Sequence, residues 1–205
     1  GLPVVNSWLF DYTHGWLLNN KPELGTKIII KPTFESASIG IKDTSIVCFD
    51  NSTEDLLAYI GEQYNQPLTI QRFIDGFEIE VPVINYKKSI AITPIGISLH
   101  GDKYLGTNIL DYEIVYNDDY SFYLFDEISK KQELEILTIA ENAAKGLGIH
   151  GFGRVDFRVD NNKNVYITDI STNPHITKHS SFAYLFNQLG YSYKELPLAL
   201  IGTII

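Results

Sequence analysis

The sequence has 205 residues, 44% of them hydrophobic and 20% charged, with a formal net charge of −9. That balance excludes a disordered chain and leaves room for one well-filled core or two smaller ones. With no clustered basic stretch, the acidic excess also argues against nucleic acid as a main partner, although a nucleotide needs only a few placed cations and a metal.

The start, GLPVVNSWLFDYTHG, lacks the basic head and apolar middle of a signal peptide. The missing initiator Met reads as a fragment or a processed chain. No apolar run approaches the ~20 residues of a membrane span. The single cysteine, Cys48, rules out an internal disulfide and a zinc cluster and is compatible with a reducing cytosol.

In chain order, Gly1–Trp8 reads as extended, and Lys27–Lys31 (KIIIK) as an apolar strand ending in a lysine. Residues 34–42, FESASIGIK, follow as a run of small and hydroxylated residues. Such a loop can turn backbone N–H groups toward a phosphate, or be an ordinary hairpin turn. Asn51–Tyr64 is a helix capped by Ser52 or Thr53, with acids in its first turn. Leu56, Leu57, Ile60 and Tyr64 form its apolar stripe, and Gln66-Pro67 stops it.

Leu68–Asn85 holds two strands around Asp75-Gly76. In the second, Glu78 and Glu80 share one face, and the preferred reading of Glu80 is a solvated side chain. Lys87-Lys88 makes a turn before a strand over Ile90–Leu99. Residues 100–129, rich in Tyr and Asp without a clean period, read as a long functional loop between strand fragments. Lys130–Leu147 is a helix with Leu134, Leu137, Ala140, Ala144 and Leu147 on one face. Ser180–Leu189 is a short helix closed by Gly190, and Ser192–Glu195 is a capping box for a last helix ending near Ile201.

The most informative stretch is 151–181. Val155, Phe157 and Val159 alternate with Arg154, Asp156 and Arg158, Asn161–Asn164 supply a turn, and Val165–Ser171 returns. Pairing about that turn sets 160 opposite 165, 156 opposite 169, and 154 opposite 171. Asp156 and Asp169 then face each other with Cβ atoms roughly 5 Å apart. Like charges so placed need neutralising, and a divalent cation with hard oxygen ligands, Mg²⁺, does so. Arg154, one pleat away, adds a fork for an anion, which suggests phosphoryl chemistry. The alternative is a surface hairpin whose acids are merely solvated.

Five ordered runs, IIIKPTFESASIGI (28–41), TIQRFIDGFEIEV (69–81), DYEIVY (111–116), GFGRVDFRVD (151–160) and ITDISTNPHITKHSSF (167–182), resemble the ATP-grasp superfamily. Within it they look most like the D-alanine–D-alanine ligases. The resemblance implies an α+β fold with two lobes built on antiparallel sheets that grip ATP. Residues 1–73 would form the smaller lobe with the phosphate lid loop, and 74–205 the larger lobe with the metal and substrate site. It implies a cytoplasmic, ATP- and Mg²⁺-dependent ligase of cell-wall peptidoglycan biosynthesis that joins two D-amino acids through an acyl phosphate. Its partners would be a small amino acid or peptide, with a homodimer left open. The family's N-terminal domain, which supplies part of the first substrate pocket, is absent from this sequence.

The same resemblance distributes roles. Lys31 would contact the ATP phosphates, with Ser36, Ala37, Ser38 and Ile39 as the lid over them. Gln71, Arg72, Phe73 and Ile74 would line the adenine slot, and Glu78 would bind the ribose hydroxyls. Arg154 would hold the substrate carboxylate and the transferring phosphate, and Ser180 the second substrate's carboxylate. The metal would lie on Asp156, Asp169 and Ser171.

Departures from the family pattern are equally readable. Ser36 replaces a Gly and Ala37 a Ser, Gln71 stands for Glu, Asp169 for a longer Glu, Ser171 for Asn, and His175 for a Gly. Asn173 could substitute at the Ser171 position, and His179 is retained as packing or support. Val115 stands where a lysine is expected, a loss of on the order of 10²–10³ in rate; Lys103, in the same loop region, could reach in. These departures support an alternative function, a degenerate or truncated nucleotide-binding module without ligase turnover.

Overall fold

The computed structural model describes residues 1–18 and 20–203, which form two compact units. One comprises Val5–Ile74 with Thr107–Asp119; the other comprises Gly1–Val4, Asp75–Gly106 and Tyr120–Ile205. The chain therefore leaves the smaller unit after Ile74 and returns to it for Thr107–Asp119, an excursion that a single cut between 73 and 74 does not contain.

In the smaller unit, five strands lie in the order β2-β1-β5-β3-β4. They are β1 (Ser7–Asp11), β2 (Gly15–Leu17), β3 (Lys27–Pro32), β4 (Ile46–Cys48) and β5 (Leu68–Arg72). Helix α1 (Thr53–Tyr64) joins one face of the sheet in a core of Phe10, Ile28, Ile30, Phe49, Leu57, Leu68 and Ile70. Neither Ser52 nor Thr53 caps α1 with its own side chain. Asp50 Oδ1 accepts from Ser52 N and from the Ser52 and Thr53 hydroxyls, tying down the first turn from outside. On the opposite face, Ile29, Phe73 and Ile109 form a second cluster with Ile41 and Ile46.

The larger unit is a sheet in the order β11-β10-β6-β8-β9, with β7 also on β6. Its strands are β6 (Phe77–Tyr86), β7 (Lys88–Ala91), β8 (Ile95–Ser98), β9 (Ser121–Leu124), β10 (Gly151–Val159) and β11 (Val165–Ser171). The strand read over Ile90–Leu99 is thus two, separated at residues 92–94 by a segment that includes Pro94, which cannot donate to a ladder. Residues 100–129 are less irregular than their composition implies, since they contain α2 (Tyr112–Tyr116) and β9.

Period-2 alternation in β6 and β10 points Phe77, Ile79, Val81 and Val83, with Val155, Phe157 and Val159, to one core. Helix α3 (Lys130–Gly146) covers that core with Ile136, Ala140, Ala143 and Ala144. Leu134 and Leu147, expected on the apolar face, are exposed instead. Helices α4 (Ser181–Gln188) and α5 (Glu195–Ile201) pack with Ile84 and Phe152, which lie on the other face of the sheet. Leu189, the last residue of the helix read from sequence, is also exposed. No described helix is long and apolar enough to cross a membrane.

Candidate functional site

The polar face of the larger sheet is built by three neighbouring strands. On β10, Asp156 pairs with Glu80 of β6 on one side and Asp169 of β11 on the other, so three carboxylates stand in one row. The pairing of Asp156 with Asp169, and of Arg154 with Ser171, is the one that the hairpin arithmetic anticipated. The route to it differs. Nearer the turn the ladder runs Val159↔Val165, Arg158↔Tyr166 and Phe157↔Ile167, one residue out of step with the expectation. A bulge at Thr168 absorbs the difference, and its hydroxyl donates to Asp156 O at 3.2 Å. Because of that extra residue, Ile167 and Ile170 both reach the core while Asp169 stays opposite Asp156. A spacing of three between two apolar strand residues was the available signal.

Arg154 ties the row together. Its Nε and Nη2 donate to the two oxygens of Asp156, each at 2.7 Å, and Nη1 lies 3.2 Å from Glu80 Oε1. Burial pushes the Asp156 carboxyl up to about 7; Glu80 and Asp169 add to the rise and Arg154 opposes it. The same acids raise the Arg154 guanidinium above its ordinary value against the cost of burial.

Glu80 is buried, at 7% exposure, which corrects its reading as a solvated side chain. The alternation was sound, but its face is not open there: Glu80 pairs with Ile95 and Glu78 with Ile97, both fully buried. Glu80 and Arg158 were missed as parts of the site. Counting the β6–β10 pairing would have placed both, since Glu78 sits directly opposite Arg158. Arg158 donates to Glu78 Oε2 at 2.7 Å and to the carbonyls of Gly76 and Gly106.

A hard dication fits this chemistry: two carboxylates share one guanidinium, and Asp169 and Ser171 lie along β11 beside them. Among the described residues no three His, Cys, Asp or Glu side chains converge enough to hold a metal alone. A metal here would complete its shell with water and phosphate oxygens, as Mg²⁺ usually does.

The remaining expected residues are placed as follows. Ser180 lies at the start of α4, buried, where its hydroxyl donates to Thr177 O and accepts from Ala183 N. His179 packs its ring on Tyr120 and Phe122, while Asn173 and His175 are exposed. Lys103 belongs to the larger unit and Val115 to the smaller, so the two are not parts of one loop. Its Nζ meets Asp126 at 3.1 Å and Glu127 at 3.5 Å above the Tyr123 ring, and this pairing raises its pKa.

In the smaller unit the pairings Ile29↔Gln71 and Lys31↔Thr69 put Lys31 and Gln71 on the sheet face away from α1. Phe73 and Ile29 lie on that face as well. Arg72 pairs with Ile28 and so points to the other face, exposed at the strand end, while Ile74 is buried. The lid residues Ala37 and Ser38 take left-handed backbone angles, φ 52° and 58°, which a non-glycine residue adopts at a cost. Ser38 Oγ donates to Leu110 O at 2.7 Å, which anchors the loop to the Thr107–Asp119 segment.

Comparison with known proteins decides the lineage. The D-ala D-ala ligase C-terminus family profile matches residues 1–202. The chain belongs to that family. A D-alanine–D-alanine ligase of Nitrosospira multiformis is 28% identical over 182 residues, covering 88% of this chain and 55% of the relative. That of Saccharophagus degradans is 29% identical over 180 residues, covering 87% and 53%. Among solved structures, Bacillus anthracis D-alanine–D-alanine ligase complexed with ATP superposes with a TM-score of 0.75 at 16% identity, over 99% of this chain and 60% of that one. The VanG D-Ala:D-Ser ligase of Enterococcus faecalis gives 0.71 at 20% identity, over 100% and 58%. The fold is therefore the ATP-grasp α+β fold with antiparallel sheets that the motifs implied. The chain spans about half the length of the curated relatives it matches.

Proposed function

We propose that this chain is the nucleotide- and metal-binding part of a cytoplasmic, ATP-dependent carboxylate–amine ligase of the D-alanine–D-alanine type. In that reaction the carboxylate of a first amino acid attacks the γ-phosphorus of ATP, releasing ADP. The amine of a second then displaces phosphate from the acyl phosphate to form a peptide bond. The observation that carries the reading is the row Glu80–Asp156–Asp169 with Arg154 in it, of which Asp156, Asp169 and Arg154 are the positions where the family resemblance expects metal and phosphate.

Asp156, Asp169 and Ser171 would hold Mg²⁺, which when bound supplies charge neutralisation for the phosphates. Arg154 presents a fixed fork to the substrate carboxylate and the transferring phosphoryl group. Lys31 would add a point charge for the phosphates, with Ser36, Ala37 and Ser38 as their lid. Gln71, Phe73 and Ile74 would line the adenine site, with Arg72 taking part through its backbone. Glu78 would meet the ribose with Oε1, since Oε2 accepts from Arg158. Ser180 would exchange its bond to Thr177 O for the second substrate's carboxylate. Catalysis on this scheme is positioning and charge neutralisation, with no covalent enzyme intermediate.

Val115 and Ser171, in place of a lysine and an asparagine, favour a second reading, nucleotide binding without ligase turnover. Two measurements separate the possibilities. ATP with Mg²⁺ should raise the melting temperature of the wild type and not of Asp156→Asn; no shift in either removes both nucleotide readings. Phosphate release by the full-length parent that rises on adding D-alanine establishes the ligase, whereas background release leaves only the binding module.

A further inference from the structure

We infer that Glu80 is a positioning residue that keeps the Arg154 guanidinium aimed at the phosphate site when Asp156 turns to the metal; this rests on the function proposed above. Two of the three Arg154 nitrogens, Nε and Nη2, are spent on the two oxygens of Asp156 at 2.7 Å each. A dication on Asp156 draws on those same oxygens, and the two-point grip on Arg154 cannot survive it intact. The third nitrogen, Nη1, rests 3.2 Å from Glu80 Oε1, on a strand that contributes no other residue to the metal reading.

Glu80 can do this because it is rigid and dry. Its side chain is 9% exposed, its strand is paired on both sides by β10 and β8, and Ile95 opposite is fully buried. A carboxylate so fixed holds one guanidinium nitrogen and leaves the other two free to rotate outward to an anion. Of the two direct cross-strand neighbours of Arg154, Pro82 offers no side-chain acceptor and Ser171 belongs to the proposed metal set, which leaves Glu80 for the task. Without Glu80, metal binding would release a long, flexible side chain whose rotamer freedom must be lost again on meeting phosphate. With it, the arginine is handed from one acid to the other.

The test is the preference of the chain for ATP over ADP in the presence of Mg²⁺, measured by calorimetry on wild type, Glu80→Gln and Glu80→Ala. The γ-phosphate is what distinguishes the two ligands and what Arg154 would contact. Glutamine keeps an acceptor at the Oε1 position; alanine does not. Positioning predicts that Glu80→Gln retains the wild-type preference within about twofold. Glu80→Ala should lose on the order of tenfold, the scale of one charge-assisted hydrogen bond. A metal-ligand role, or a purely electrostatic one, makes Gln and Ala behave alike, and that result overturns the assignment. Circular dichroism confirms that each variant is folded, and Glu80→Asp serves if Ala does not fold, with the same loss expected because the shorter acid cannot reach Nη1. A wild type that discriminates while all variants match it refutes Glu80 alone; a wild type that does not tell ATP from ADP refutes the nucleotide reading and this inference with it.

Discussion

Replacing Arg154 with methionine removes the cation that the carboxylate row holds and keeps most of the side-chain volume. The residue is largely buried, as are its acids: the side chains of Arg154, Glu80 and Asp156 are 19%, 9% and 12% exposed. Breaking a buried pair by removing one partner costs about 3–5 kcal/mol, a large part of the ~5–15 kcal/mol that folds a domain. The cost should depend on pH, with a sign that follows from Asp156. Its folded-state carboxyl is raised from the ordinary 3.8 to about 7, so the folded state holds a proton that the unfolded chain releases. Stability from that proton is complete at the acid end and is lost as pH rises through 7. Without Arg154, which opposes the rise, the Asp156 carboxyl climbs further and regains ~1.4 kcal/mol per pH unit on acidification below its raised value. The wild type gains part of this too, so the defect at pH 8 should shrink by about 1 kcal/mol at pH 6, and Mg²⁺ at a hundred times its Kd should return ~2.7 kcal/mol at pH 8. Both tryptophans, Trp8 and Trp16, lie in the other unit, so fluorescence would not report on this one. Native-state hydrogen exchange of the β10 amides of Val155 and Phe157 reads it directly. An equal loss of protection at pH 6 and pH 8, untouched by Mg²⁺, would refute the coupling of these charges.

A Cβ on Gly76 would lie 2.1 Å from Val159 O, so Gly76→Ala must displace backbone and disturb the paired Gly76–Gly106 bonds; denaturant unfolding should show a loss of about 3 kcal/mol or more. Gly101→Ala, at φ +92° in open space, should cost only ~1 kcal/mol, and equal effects would contradict the steric account. Deleting Thr168 should leave Asp169 opposite Asp156 with regular alternation on both flanks, costing ~1 kcal/mol for its hydroxyl bond and sparing the Mg²⁺-dependent thermal shift. Lys103→Ala should leave ATP affinity within about twofold, because Asp126 and Glu127 hold that lysine in its own unit; a loss of on the order of tenfold by calorimetry would show that it leaves them.

Much of the fold was legible because alternation reports which face of a strand is apolar. Val155, Phe157 and Val159 announced β10, and the Asn-rich turn announced β11. What alternation cannot report is what lies against the other face. Glu78 and Glu80 share a face as read, but Ile95 and Ile97, from a strand that sequence ran together with its neighbour, close that face off around Glu80. Tertiary packing also overrode the helix stripe of α3: Ala140, Ala143 and Ala144 let the helix approach the sheet, and Leu134 and Leu147 were left outside. Small residues carry little signal in a hydrophobicity pattern, yet they set how closely two elements come together.

The carboxylate row gives the departures at Asp169 and Ser171 a common logic. The resemblance expects a longer acid and an amide there; this chain offers a shorter acid and a hydroxyl, which weakens the β11 side of the site. On the β6 side stands a buried carboxylate, Glu80, directly opposite Asp156. Once Asp156 gives up its proton, three carboxylates against one guanidinium leave two negative charges in excess, the complement of one magnesium ion. If the loss on one strand is compensated by the carboxylate on the other, restoring the longer acid with Asp169→Glu should tighten Mg²⁺ binding in Glu80→Gln more than in the wild type. Calorimetry of the four proteins forms a double-mutant cycle, and strictly additive affinities would show that the two strands act independently.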